Sequence, residues 1–269
     1  MLTSIATDQK IWLEYSHQNQ TYKSLSNKYS ISIKTLQKRL DSVVVSLPFI
    51  PPCATVIIMD TCYFRDGFGV MVFRDSYQKK NLFWKFINHE TLKLYIEGIT
   101  TLLEQGWQIK AIVCDGKRGL FNAFGQLPIQ MCQFHQTAIV IRYITKRPKL
   151  QAGKELKNVV HLLTRSDKES FTGALEQWHH KWQSFLSEKT INQETKKWHY
   201  THKRIRSAYR SLNTNLPYLY TWYDNMELNI PNTTNSIEGT FSNIKTKLRV
   251  HNGLKLHRKI KLINQLLKN

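Results

Sequence analysis

The segment from Ala54 to Phe64 constrains this chain more than any other. It reads Ala-Thr-Val-Ile-Ile-Met-Asp-Thr-Cys-Tyr-Phe, and consecutive apolar residues at Val56, Ile57 and Ile58 predict a strand buried on both faces. Asp60 stands at the end of that run. A carboxylate there is costly unless its charge is used or neutralised. Two roles fit it: a metal ligand at a sheet edge, or a turn cap, because Asp66-Gly67 just beyond reads as a hairpin turn.

Around this strand the patterns predict a mixed α/β fold. Residues 68–73 and 82–87 read as further strands in successive hairpins, hence antiparallel. A helix over 90–104 follows, with Leu92, Tyr95, Ile96, Ile99, Leu102 and Leu103 inward and Gly106 as its stop. The apolar strand 109–114 leads into Asp115-Gly116, a short helix covers 118–124, and a fifth strand, 128–134, leads into His135. If the first and fourth strands are neighbours in the sheet, Asp60 and Asp115 share one edge.

Residues 7–41 read as three short helices. Ile11, Trp12 and Tyr15 mark the first, Tyr22, Leu25 and Tyr29 the second, and Ile33, Leu36 and Leu40 the third, which Ser32 caps. The last two, with Lys34, Thr35, Gln37, Lys38 and Arg39 outward, fit a helix-turn-helix reader of the DNA major groove; the alternative is a plain three-helix packing unit with a solvated basic face. Residues 46–52, with Pro48, Pro51 and Pro52, read as a linker.

Charge narrows the partners. Thirty-nine Lys and Arg against 19 Asp and Glu give a net +20, which implies a polyanion, nucleic acid before membrane. Residues 141–210 carry 16 of the cations against 6 acids and follow a helical pattern through Leu156, Val159, Val160, Leu163, Phe171, Leu175, Trp178, Trp182 and Phe185. They predict an all-helical insertion in which Trp178, Trp182, Trp198 and Trp222 are equal candidates for a DNA base. No apolar run is long enough for a membrane span and no signal-peptide pattern opens the sequence, so the expected setting is the cytoplasm, at the nucleoid. The four cysteines, Cys53, Cys62, Cys114 and Cys132, suggest free thiols.

After Pro231 a last long helix is predicted, capped by Asn232 or Thr233, with Ile237, Phe241, Ile244 and Leu248 inward. Beside that stripe run Asn235, Glu238, Ser242, Lys245 and Arg249. Glu238 is conspicuous because no acid follows it, against eight Lys and Arg from Gly239 to Asn269. A salt-bridge ladder on a solvated face is the alternative role. Asp60, Asp115 and Glu238 together suit Mg²⁺ or Mn²⁺ in two-metal phosphodiester chemistry, with Lys245 placed to meet a DNA phosphate.

Four motifs then carry a family resemblance: Met59-Asp60-Thr61; Val113-Cys114-Asp115-Gly116; Cys132-Gln133-Phe134-His135; and Thr233 to Gly239 with Phe241, Lys245 and Arg249. In that order they resemble the Mutator-like superfamily of DDE transposases in its bacterial insertion-sequence form. The resemblance implies an RNase H-like catalytic core over 48–145 and 231–269, broken by a helical insertion over 146–230 and preceded by the helix-turn-helix unit over 1–47. It implies cleavage of terminal inverted repeats and transfer of a 3′ hydroxyl into target DNA, catalysed by Asp60, Asp115 and Glu238 with Mg²⁺ or Mn²⁺. Asn235, Lys245, Arg249, Lys34, Lys38 and Arg39 are the expected DNA contacts, and a homodimer or larger assembly on DNA is the expected state. Cys132 and His135 are two ligands where zinc wants four. Cys114, His251 or His257 would have to complete such a site, and the favoured alternative is a core thiol and a histidine that orients a carboxylate or phosphate. The competing functions are a truncated or domesticated relative that binds DNA without transposing, and an RNase H-like nuclease.

Overall fold

The computed structural model describes residues 2–64 and 67–268, with side chains from Thr7 onward. Three helices come first: α1 (Leu2–His17), α2 (Tyr22–Tyr29) and α3 (Ile33–Ser42). Thr21 caps α2, Ser30 ends it in the left-handed region, and Ser32 caps α3 by accepting the Thr35 N–H at 3.1 Å. Leu25, Leu36 and Leu40 are buried, whereas Ile33, expected inward, is 44% exposed because it is the first residue after the cap.

An extended, largely exposed stretch leads to the sheet. Its strands are β1 (Ala54–Tyr63), β2 (Gly69–Asp75), β3 (Asn81–Ile87), β4 (Gln108–Cys114) and β5 (Ile129–Met131), with α4 (Leu92–Glu104) between β3 and β4 and α5 (Leu120–Ala123) between β4 and β5. The order is β3-β2-β1-β4-β5. β1 and β2 pair antiparallel, as do β2 and β3, while β4 runs parallel to β1 and β5 parallel to β4. The sheet is therefore mixed, five-stranded and flanked by helices. The turn residue Asp66 lies outside the described residues.

Side-chain alternation divides the strand residues between two cores. Ile57, Met59, Met71, Phe73, Ile112 and Cys114 pack against α4 and α5. A Cβ at Gly98 would lie 2.1 Å from the Phe73 ring, so only glycine lets α4 seat this closely. Ile96 and Leu103, expected inward, are 41% and 53% exposed; the buried stripe of α4 is Tyr95, Gly98, Ile99 and Leu102. Val56, Ile58, Cys62, Val70, Val72, Ala111 and Val113 face the other way. They share a core with α1–α3 and the two C-terminal helices, α11 (Asn235–Val250) and α12 (Leu256–Leu267).

Residues 133–228 form a separate helical core. It contains α6 (Gln133–Ile144), α7 (Gln151–Leu162), α8 (Lys168–Ser187), α9 (Lys203–Leu219), α10 (Thr221–Asp224) and a 3₁₀ turn, Met226–Leu228. The all-helical expectation needs correction: an exposed antiparallel hairpin, β6 (Lys189–Ile191) and β7 (Trp198–Tyr200), joins α8 to α9. Its strands are too short to show alternation.

The C-terminal region also departs from the sequence expectation. The N-cap of α11 is Thr234 rather than Asn232 or Thr233, and the tail bends at His251–Lys255, where Gly253 has φ +74°, to give α12. In α11 Ile237, Phe241 and Ile244 are buried and Leu248 is half-buried. Lys247 is buried, and its ammonium donates to the His17 carbonyl and to Asn19 Oδ1. With Trp12 Nε1 donating to Gln265 Oε1 at 2.9 Å and Arg258 paired to Asp41, this ties the N-terminal helices to the C-terminal ones. Among the described residues no helix is long and apolar enough to cross a membrane.

Candidate active site

Asp60 has the parity of Val56, Ile58 and Cys62, so it points to the face that α11 covers. Thr61 points the opposite way, its hydroxyl 3.2 Å from that of Tyr95. The parallel ladder aligns Ile58 with Val113, and two residues on that register bring Asp115 beside Asp60. Asp115 shares the parity of Ala111 and Val113 and accepts the Lys117 N–H at 3.0 Å across a turn at Gly116. That turn needs glycine, with φ +81° and Met131 where a Cβ would sit.

Two helices begin at this edge. α6 starts at Gln133, so His135 lies in its first turn rather than at a strand end. β5 stops at Met131 because Cys132 turns the chain: its N–H donates to the Cys114 carbonyl at 2.7 Å and its own carbonyl receives the Gln136 N–H at 3.0 Å. α11 carries Glu238 in its first turn. The two starts are joined: Gln133 N–H donates to the Asn232 carbonyl, Asn232 Nδ2 to Gln133 Oε1, and Thr234 N–H to Cys132 Sγ at 3.3 Å. The Thr234 hydroxyl lies 3.4 Å from Glu238 Oε1. Buried Cys132 is therefore a fastening point for the helix that carries Glu238.

Asp60, His135 and Glu238 each offer a ligand atom, and these atoms lie within 4.8 Å of one another. His135 Nε2 is 4.0 Å from Glu238 Oε1. Asp115 stands outside that group of three, yet its charge bears on both Asp60 and His135. Asp60 is 7% exposed and accepts the Thr61 N–H at 2.7 Å. Burial pushes its carboxyl up to about 7, against the opposing charge of His135 and the Thr61 hydrogen bond; Asp115 and Glu238 push it the same way as burial. The Cys132 sulfur beside His135 raises the imidazole to about 9 against its own desolvation, and Asp60 and Asp115 add to the rise. In the protein alone, the cationic imidazole is thus a counter-ion to a cluster of acids. Both helix N-termini add positive field at the same place.

This donor set fits a divalent cation. Carboxylates suit hard ions, and a carboxylate held up by burial and like charge gains most from a cation. Cys132 is not in the group, and His251 lies elsewhere, with its Nε2 3.0 Å from the Tyr15 carbonyl oxygen. The pairing of Cys132 with His135 in sequence conceals the fact that only His135 joins the carboxylates.

The remaining expected residues divide. Asn235, Lys245 and Arg249 are exposed on α11, and Lys245 lies near enough to Cys62 to affect its thiol, which places it along β1 beyond Asp60. Lys34 and Lys38 are exposed on α3, but Arg39 pairs with Asp8 of α1. The four tryptophans are not equivalent: Trp178 is buried and donates to the Ala152 carbonyl, Trp182 donates to Glu155, Trp222 is half-buried, and Trp198 is 56% exposed. No family model matches the chain, and no curated protein matches it.

Proposed function

We propose that the chain is a metal-dependent DNA transposase of the DDE type, with an RNase H-like core and an N-terminal helix-turn-helix unit. The observation that carries this reading is the convergence of Asp60, His135 and Glu238 within 4.8 Å, with Asp115 next in register on the adjacent parallel strand. The sheet order and strand directions support an RNase H-like core, and the Ser30 turn between α2 and α3 supports a helix-turn-helix. The net charge of +20 supports a DNA partner.

Asp60 and Glu238 would hold Mg²⁺ or Mn²⁺, with Asp115 as the third carboxylate and His135 as a ligand or as an orienting cation. The metal supplies polarisation of the scissile phosphate and of the attacking oxygen. The chain's own groups bind and position the DNA. Lys245 and Arg249 neutralise backbone phosphates along α11, and Lys34 and Lys38 approach from α3. Buried Asp60 fixes the centre of the site, while Cys132 and Thr234 fix the entry of the Glu238 helix.

The test is incubation of purified protein with DNA carrying the repeats that flank its coding sequence. Mg²⁺- or Mn²⁺-dependent nicking and joining of the 3′ end to a target, both lost in Asp60→Asn and Glu238→Gln, is the expected result. Equal cutting by wild type and Asp60→Asn would overturn the assignment. Binding of the repeats with no cutting or joining would favour a DNA-binding relative without transposition.

A further inference from the structure

The helical insertion holds a groove of about 810 Å³ between the C-terminal half of α8, strand β7 and one face of α9. Lys203, Arg206 and Arg210 lie along the α9 side, and no carboxylate is among the lining residues. Arg206 is engaged locally, with its guanidinium 3.5 Å from the centre of the Tyr200 ring and donating to the Leu186 carbonyl, which fixes that wall. Lys203 and Arg210 are exposed and, among the described residues, form no ion pair. Lys203 also opens α9, followed by Arg204, where the helix dipole disfavours cations. An anion in the groove offsets that repulsion. His179 of α8 and Tyr209 of α9 contribute parallel rings, 4.3 Å apart at 1°.

We infer that this groove binds single-stranded DNA, with Lys203 and Arg210 on phosphates of one strand and an outer face of the stacked His179–Tyr209 pair against a base. Cations seven residues apart on one helix lie about 10 Å apart, a spacing that follows a backbone rather than a single phosphate. A duplex turns its bases inward and would leave the rings unused, whereas a single strand uses both cations and rings. The site is distinct from the Asp60 cluster and does not depend on the transposase reading.

The test is fluorescence anisotropy of full-length protein in EDTA, with a labelled oligothymidylate and a duplex of equal length. Lys203→Ala/Arg210→Ala should weaken single-strand binding about tenfold or more and lower the slope of log affinity against log salt by about 1.4, for two lost phosphate contacts. His179→Ala should weaken single-strand binding about fivefold or more and leave duplex binding unchanged. The charge-matched control Lys80→Ala/Lys110→Ala, both exposed, one just before β3 and the other on β4, and neither lining the groove, should bind as wild type. The inference is overturned if the groove and control pairs behave alike, or if the groove variants lose duplex and single-strand binding equally. EDTA suppresses metal chemistry, so loss of cleavage in Asp60→Asn leaves this result untouched.

Discussion

Two buried aspartates stand on adjacent strands of the sheet, and only Asp60 of the two lies in the candidate site. Asp75, at the end of β2, is fully buried and is held by the Thr55 hydroxyl at 2.7 Å and by the N–H groups of Tyr77 and Gln78, all on Oδ1. Asp60, on β1, has the Thr61 N–H and otherwise faces an imidazole and two further carboxylates. Both are buried acids in apolar strands. They differ in what faces the charge: Asp75 Oδ1 is held by fixed donors while its Oδ2 is buried without a hydrogen-bond partner, whereas Asp60 faces titratable groups from three other elements that converge on one edge. Burial alone does not mark a functional carboxylate; a buried carboxylate on which titratable groups of several elements converge is the candidate.

The largest expected effect breaks the pair apart. On the proposed function, Asp60→Asn should cut metal-dependent DNA cleavage by about 10³-fold or more, because it would remove the central ligand, and gel assays of nicked product measure this. Asp75→Asn, equally buried, should leave cleavage within about threefold of wild type while costing about 1–3 kcal/mol in urea unfolding, because Oδ1 still accepts but the amide nitrogen at the Oδ2 position becomes a buried donor with no acceptor.

Asp60 should also show itself in the pH dependence of stability when metal is absent. The Asp60 carboxyl is raised in the folded protein, from 3.8 to about 7. Between those values the unfolded chain has released a proton that the folded chain keeps, so stability falls as pH rises through this window. Asp60→Asn removes that cost and should unfold at higher urea than wild type at pH 8, by about 4 kcal/mol, and with little difference at pH 4. The same difference between Asp60→Asn and wild type at both pH values would contradict the raised Asp60 carboxyl.

A smaller effect tests how Glu238 is held. Cys132→Ala removes the acceptor of the Thr234 N–H and should destabilise by about 1 kcal/mol. It should weaken Mn²⁺ binding severalfold, whereas Cys132→Ser, which restores an acceptor, should recover part of both. Smallest should be Lys245→Ala, which should weaken DNA binding uniformly and lower the salt slope by about 1 without altering stability.

How much can be read from sequence follows the same division. Asp60 is legible because a strong apolar run ends on it, and Asp115 because a second run ends the same way. Glu238 is legible because it is the last acid before a basic tail. The adjacency of β1 and β4 then follows from the need to bring those ends together, and the ladder has them as neighbours. Sequence alone puts His135 one element too early, on a strand rather than in the first turn of α6, because β5 is only three residues long and the turn at Cys132 depends on a backbone bond to Cys114. Asp75 gives no sequence signal of its own because its satisfaction depends on Thr55, twenty residues away. The exposed hairpin β6–β7 has no periodicity to reveal it, and Lys247 can be buried only because the N-terminal helices return to meet α11.

The most direct test of the proposed metal centre is Mn²⁺ binding followed by electron paramagnetic resonance on the purified protein without DNA. A bound-ion signal is expected at pH 8. It should be lost in Asp60→Asn and Glu238→Gln, be kept in Asp75→Asn, and fade in wild type as pH falls below about 7, where Asp60 takes up its proton. Undiminished Mn²⁺ binding in Asp60→Asn would contradict the assignment of Asp60 as the central ligand.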